Sequence, residues 1–582
     1  MYQTQFRIFA CAALMGLGVA ALGTSAYAAE PCQEIVAACE RAGFVQGNAR
    51  EGNGLQLDCV RPILQGTPPT RTTLQLPQVD PKTLADCKAR DPRLGQPRAA
   101  NAPAALAPIP PVSDAPQPAH PAAPGAPNIV FVLTDDLSWN LVQYMPHVLQ
   151  MQKDGVTFSN YFVTDSLCCP SRTSIFTGRY PHDTGVFKNT GTDGGYSAFQ
   201  NNQLGRITFA TALTAAGYRT AMLGKYLNGY EPPHDPVAQG WSYWAVGGGA
   251  GYRELHYNLN EDGRVVRYGN VPAAYLTDVL SGHAVDFIKR SAGQPFLVEV
   301  ATYAPHAPYV PAPRDADAFP GLRAPRTPSY DAAPDASAPN WLRKMRPLSD
   351  ADMASIDRDY RKRAQSVLAV DKMIGALQEA VATSGQARNT YFVFSSDNGY
   401  HMGEHRLMPG KMTAFDEDIR VPLIVTGPGV PAGVVLDQIV ENIDLCPTFA
   451  ELAGAMAPSV DGHSLVALLH GQPITEWRRA ALVEHHGPNK DPTDPDLPAA
   501  RSGNPTTYEA MRLPAALYVE YSDGGREYYD LKTDPDELRN IFASLPSSEK
   551  TSLSKSLAAI ANCHGAQNCW AAARLDHVAA AR

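Results

Sequence analysis

Asn128-Ile129-Val130-Phe131-Val132-Leu133-Thr134-Asp135-Asp136 places an unbroken apolar run directly before two carboxylates. So short and continuous a run suits a strand covered on both faces, as in a parallel sheet. Two later segments repeat the form: Phe296 to Tyr303 (FLVEVATY), and Tyr391 to Ser395 (YFVFS) followed by Asp397-Asn398. Between them Val367, Val370, Ile374, Leu377 and Val381 recur at the spacing of an amphipathic helix. Strands alternating with helices predict an α/β fold, a large mixed and mostly parallel sheet flanked by helices, occupying 128–475. Ligands of such sheets gather beyond the carboxyl ends of the strands, where these acidic residues fall.

Upstream, 21 of the 32 residues from Gln96 to Pro127 are Ala or Pro. That composition builds no core, so 94–127 reads as a linker. Before it, Cys32, Cys39, Cys59 and Cys87 mark a small module over 29–93. Arg7, the apolar run Ile8 to Leu22 and Ala26-Tyr27-Ala28 have the form of a signal peptide over 1–28. The run is shorter than the ~20 residues of a membrane span, so none is expected in the mature chain, which is placed as secreted or periplasmic. Of the ten cysteines, Cys11 leaves with the signal, and nine remain for an oxidising compartment. Two bridges among the first four and one between Cys563 and Cys569 is the simple pairing, with the connectivity open. A zinc site among the first four is the rival, although their spacings lack the C-x2-C form.

From about Glu476 to the end, 476–582, short strands such as Ala516–Tyr521 and a second from Arg526, about an Asp523-Gly524 turn, predict a smaller antiparallel sheet. The 582 residues carry 49 basic and 58 acidic side chains, a formal charge of -9, which argues against nucleic acid as a partner. An anionic substrate must then be held by local cations.

Asp135, Asp136, Asp397 and Asn398 offer three carboxylates and an amide oxygen to one sheet edge. That donor set suits a hard divalent cation, calcium or else magnesium, rather than zinc.

Ser166-Leu167-Cys168-Cys169-Pro170-Ser171-Arg172 followed by Thr177-Gly178-Arg179 resembles the sulfatase signature C-x-P-S-R. The resemblance runs from about Pro127 to Asn540, some 70% of the chain, and is nearest the N-acetylglucosamine-6-sulfatase branch, within the alkaline phosphatase superfamily. It implies that Cys168 is oxidised to formylglycine by a formylglycine-generating maturation enzyme, and that Asp135, Asp136, Asp397, Asn398 and position 168 bind the metal. It also implies roles for Lys225 in Gly224-Lys225-Tyr226-Leu227-Asn228, His306 in Pro305-His306-Ala307-Pro308, and Lys411 after Gly410.

The chemistry follows from the charge on a sulfate ester, which repels nucleophiles until cations neutralise it. The metal, Arg172, Lys225 and Lys411 are expected to do so. One hydroxyl of the hydrated aldehyde attacks sulfur, His306 assisted by Lys411 protonates the leaving alcohol, and the second hydroxyl collapses to expel sulfate. Many sulfatases have histidine where this chain has Leu227, which leaves His182 and His405 as candidates for that base or for sugar contacts. Tyr309, Trp244 and Trp341 are candidates to stack on a substrate ring. The expected substrate is a sulfated small molecule or glycan. The alternatives are a formylglycine-dependent phosphonate monoester or phosphodiester hydrolase, and an inactive glycan-binding protein.

Overall fold

The computed structural model describes residues 31–44, 55–66, 74–90, 122–123 and 125–575. The signal segment and nearly all of the linker lie outside them. The chain divides into two compact units, 1–102 and 103–582.

In the first unit, helices Pro31–Arg41 and Pro81–Arg90 and the helical stretch 55–65 surround Ile35, Phe44, Leu55 and Leu64. So few apolar side chains make a small core, and two disulfides reinforce it, Cys32–Cys87 and Cys39–Cys59. The four sulfurs are thereby consumed, which removes the zinc alternative.

The second unit carries sixteen strands: β1 (Asn128–Thr134), β2 (Val156–Phe158), β3 (Tyr161–Phe162), β4 (Arg219–Lys225), β5 (Tyr243–Gly247), β6 (Asn258–Glu261), β7 (Arg264–Arg267), β8 (Phe296–Ala301), β9 (Thr390–Ser396), β10 (Leu423–Thr426), β11 (Val434–Leu436), β12 (Val440–Glu441), β13 (Ala481–His485), β14 (Tyr508–Leu513), β15 (Ala516–Tyr521) and β16 (Arg526–Asp530). Ten form one sheet in the order β11-β2-β10-β9-β1-β8-β4-β5-β6-β7. Its centre, β9-β1-β8-β4-β5, is parallel throughout. β10 runs antiparallel to β9, and β6 and β7 continue the far side as antiparallel strands. All seven residues of β1 and of β9 are buried, as expected of strands covered on both faces. Helix Asp350–Thr383 carries the 367–381 stripe and buries Val367, Val370, Ile374, Leu377 and Val381 against one face. The core on the other face includes Phe131, Phe176, Trp244 and Phe449. Thus the α/β reading holds, and the sheet is mixed with a parallel centre, as expected.

Strands β13 to β16 form a separate four-stranded antiparallel sheet. Gly524 at φ +92° makes the turn between β15 and β16. The third disulfide, Cys563–Cys569, closes the short loop behind helix Ser547–Ala561. Among the described residues no helix is long and apolar enough to cross a membrane.

Candidate active site

Parallel register builds the site. Thr134 at the end of β1 pairs with Ser396 at the end of β9, so Asp135-Asp136 and Asp397-Asn398 leave the sheet side by side. Asp397 Oδ1 accepts from the backbone N–H of Asp136 at 3.1 Å and of Asn398 at 2.8 Å. Asp136 sits at φ 63°, a left-handed conformation that costs a non-glycine residue energy and recurs at functional sites. Lys225 ends β4, one residue after Gly224, where a Cβ would lie 2.0 Å from the Ala301 carbonyl oxygen of β8. Only glycine lets β4 and β8 approach so closely there. β8 ends at Ala301, and the chain beyond it carries His306.

Cys168 opens the fully buried helix Cys168–Thr177. Its Sγ lies 3.3 Å from Asp135 Oδ1 and 2.8 Å from Lys411 Nζ. Lys411 also reaches Asp136 Oδ1 at 2.7 Å, and Lys225 reaches Asp135 Oδ2 at 2.6 Å. Burial opposes the charge on both lysines, but Asp135 beside Lys225 and Asp136 beside Lys411 hold them protonated well above the ordinary range. The Cys168 thiol is pushed up by burial and by Asp135. Burial likewise opposes ionisation of Asp397, and Arg172 with Lys225 overcomes it, so this carboxyl is held below its usual range.

Arg172 lies inside the cluster, between Asp397 and the end of β4. Its Nε donates to Asp397 Oδ2 at 2.7 Å and its Nη1 to the Lys225 carbonyl at 2.9 Å, with the side chain fully buried. It therefore fixes the carboxylate and the end of β4. Its Nη2 has no hydrogen-bond partner and lies 4.0 Å from Asp135 Oδ1, so the guanidinium also brings positive charge to the cluster.

His306 lies 3.5 Å from Asp136 Oδ2 through Nε2, and the same nitrogen lies 2.6 Å from Asp496 Oδ1. Its Nδ1 faces the Ala307 carbonyl at 2.7 Å. Carbonyl and carboxylate oxygens only accept, so both ring nitrogens carry protons. Burial pulls the imidazole down, but Asp136 and Asp135 raise it above the ordinary value. Tyr252 packs on the His306 ring at 4.4 Å and lies 5.0 Å from Lys225 Nζ.

Asp496 is the residue that sequence reading missed. It also lies 3.2 Å from Lys411 Nζ, and Asn189 donates to its Oδ2 at 2.7 Å. Its loop, Lys490-Asp491-Pro492-Thr493-Asp494-Pro495-Asp496, has the composition of an ordinary turn, so no local signal points to a site.

The structure does not bring His182 and His405 into contact with this cluster. His182 Nδ1 pairs with Glu484 at 2.9 Å and its Nε2 donates to the Cys563 carbonyl at 2.8 Å. His405 stacks on Phe415 at 3.9 Å. Trp244 and Tyr309 are core residues, 0% and 2% exposed.

Two buried oxygens of the cluster, Asp136 Oδ2 and Asn398 Oδ1, have no hydrogen-bond partner. Unmet oxygens beside the carboxylates of Asp135 and Asp397 fit a hard cation, and such buried acceptors are costly unless something satisfies them. Asp135, Asp136, Cys168 and His306 each bring a possible donor atom within 4.8 Å of the others.

A Sulfatase family profile matches residues 127–455, and one for the N-sulphoglucosamine sulphohydrolase C-terminal region matches 403–562. Human N-acetylglucosamine-6-sulfatase is 35% identical over 455 residues, covering 72% of this chain and 81% of that protein. A putative extracellular sulfatase of Caenorhabditis elegans is 33% identical over 61% of this chain and 52% of its own length. A solved structure described as a complex with its substrate D-glucosamine-2-N,6-O-disulfate superposes with a TM-score of 0.60 at 25% identity, covering 74% of this chain and 96% of the other. The chain belongs to the sulfatase family, beside its N-acetylglucosamine-6-sulfatase branch, and is an enzyme of sulfate ester hydrolysis.

Proposed function

We propose a secreted or periplasmic, formylglycine-dependent sulfatase that holds one calcium ion and acts on a carbohydrate sulfate, with a 6-sulfated glucosamine unit as the first substrate to test. The observation that carries this reading is that Cys168 meets Asp135 and Lys411, while Asp397 and Asn398 meet Asp136, with Lys225 and Lys411 buried against the two aspartates. A thiol is a soft ligand in an otherwise oxygen-only nest, whereas an oxygen at position 168 matches a hard cation. That mismatch supports conversion of Cys168 to formylglycine by a maturation enzyme. The three disulfides and the signal-like N-terminal segment support an oxidising compartment.

Asp135, Asp136, Asp397, Asn398 and the oxygen at 168 would hold the ion. Calcium there supplies fixed positive charge against the sulfate oxygens. A hydrated aldehyde at 168 would supply one hydroxyl that, on losing its proton, attacks sulfur, and a second whose deprotonation would let the aldehyde re-form as sulfate leaves. The remaining work belongs to the chain's own side chains. Lys411, beside position 168, and Lys225, beside Asp135, neutralise the ester oxygens so that a nucleophile can approach. His306, protonated on both nitrogens and aimed through Nε2 at the same space, gives its proton to the departing alcohol. Arg172 keeps Asp397 in place. Asp496, with Asn189 behind it, fixes the His306 ring.

The test is to express the chain with a formylglycine-generating enzyme and take the mass of the Cys168 peptide alongside sulfate release. Aldehyde content should track activity, and a 6-sulfated glucosamine should outrank an aryl sulfate, a phosphonate monoester and a phosphodiester. Full activity with an intact thiol would overturn the formylglycine assignment. A phosphodiester or phosphonate preference would transfer the site to that alternative reaction.

A further inference from the structure

We infer that His405, Glu417 and Glu537 form a second metal site, separate from the catalytic nest, for a first-row divalent ion, with zinc the ion that the donor set fits. His405 follows the Asp397-Asn398 segment, Glu417 lies in the short helix Asp416–Ile419, and Glu537 follows β16. Each brings one ligand atom within 4.8 Å of the other two. His405 Nε2, Glu417 Oε2 and Glu537 Oε1 are all buried atoms with no hydrogen-bond partner. His405 is 4% exposed and Glu537 2%. Three residues from three separate segments thus come together, and each carries an unmet buried atom.

The surroundings keep them there. Phe415 stacks on the His405 ring at 3.9 Å and 13°, which fixes its plane. Glu537 Oε2 accepts from the Asp416 backbone at 3.0 Å, leaving Oε1 to face the other two residues. The two arginines of this neighbourhood are committed elsewhere. Arg512 donates to both oxygens of Asp416, and Arg420 pairs with the same carboxylate at 3.0 Å. Asp418 is likewise taken, by His401 and Thr413. Glu417 and Glu537 are left without a cation of their own.

Burial pulls His405 down to about 3, so its ring is neutral and can present a lone pair. Burial pushes Glu417 and Glu537 well up. One imidazole nitrogen and two carboxylate oxygens, with water in the fourth place, form a zinc shell. Zinc bonds of about 2.0–2.2 Å set ligand atoms about 3.3 Å apart, so closure needs movements of about 1 Å. Glu417 is only partly buried, which gives the ion a way in.

The mature full-length chain is stripped with chelator, then dialysed against Zn2+ or Co2+ with excess Ca2+ to occupy the catalytic nest, and bound metal is measured. About one equivalent of zinc per chain is expected, together with visible absorption from bound cobalt and a melting midpoint raised by roughly 5 °C. Glu537→Gln keeps the shape and the Asp416 contact but removes the charge, and it should lose the equivalent and the shift. His405→Gln should behave the same, each with unchanged circular dichroism. Asp136→Asn, at the other nest, should retain the zinc. Failure of the wild-type chain to hold zinc, or uptake by Glu537→Gln equal to wild type, would overturn the site and leave protons as the groups that neutralise it.

Discussion

The buried charge clusters around Arg478 and around Cys168, both in the second unit, are built differently. Around Arg478, every carboxylate oxygen is met. Glu441 receives Arg478, the Tyr180 hydroxyl at 2.8 Å and the Leu482 N–H at 2.8 Å. Asp444 receives Arg478, the His463 N–H at 2.7 Å and the Glu441 N–H at 2.8 Å. Around Cys168, by contrast, Asp136 Oδ2 and Asn398 Oδ1, beyond the ends of two different strands, have no hydrogen-bond partner. Both clusters are buried and pair carboxylates with cations. The carboxylates of the first are satisfied as folded and serve the fold, whereas the second leaves acceptors for a ligand. Unmet oxygens converging from separate elements, more than burial, distinguish a site from a brace.

The sharpest break of that contrast is Cys168→Ala, which removes the group placed to react while leaving the carboxylates. Sulfate release should fall by on the order of 10⁴ or more, with the melting curve nearly unchanged. His306→Ala comes next, at roughly 10²–10⁴. Its cost should shrink for an aryl sulfate, whose phenolate leaves without a proton, and stay large for a sugar sulfate. Equal losses on both substrates would remove His306 from the role of acid.

The fold was legible where burial on both faces leaves an unbroken apolar run, as in β1, β8 and β9. The same runs located Asp135, Asp136, Asp397 and Asn398, because strand ends carry their polar residues with them. β4 was less visible, since Gly224 and Lys225 interrupt its apolar character, and Lys225 came from resemblance alone. Neither His306 nor Lys411 stands out by spacing, because strand register and loops decide what they meet. Asp496 meets His306 across 190 residues, through a loop whose Asp and Pro content reads as a turn. Histidine identity was equally silent: nothing near His182 announces Glu484, 302 residues away, which holds it.

If the Arg478 cluster is a brace, its loss should appear in stability and not in turnover. Arg478→Met leaves Glu441 and Asp444 buried without their cation, a change of about 3–5 kcal/mol. Activity per folded molecule should hold within about twofold of wild type, well short of the tenfold that 1.4 kcal/mol of transition-state stabilisation represents. A variant with normal melting and lost turnover would erase the distinction between the two clusters.

The smallest effect tests the margin of the brace, where His182 stacks on Tyr180 at 5.4 Å and pairs with Glu484. Burial works against the charge on His182, but the hydrogen bond and the charge of Glu484 outweigh it and raise the imidazole to about 9. A histidine raised on folding from about 6.5 binds its proton more tightly in the native state than in the unfolded one. Its contribution is therefore fully present below pH 6.5 and lost as pH rises through about 9. Chemical denaturation at pH 6 and pH 9.5 should show a larger loss of stability for wild type than for His182→Gln, with sulfate release per folded molecule at pH 6 matching between them. A parallel loss of stability in both proteins would mean that Glu484 gains nothing from the charged ring, and the largely buried pair would then contribute no more than an ordinary surface contact.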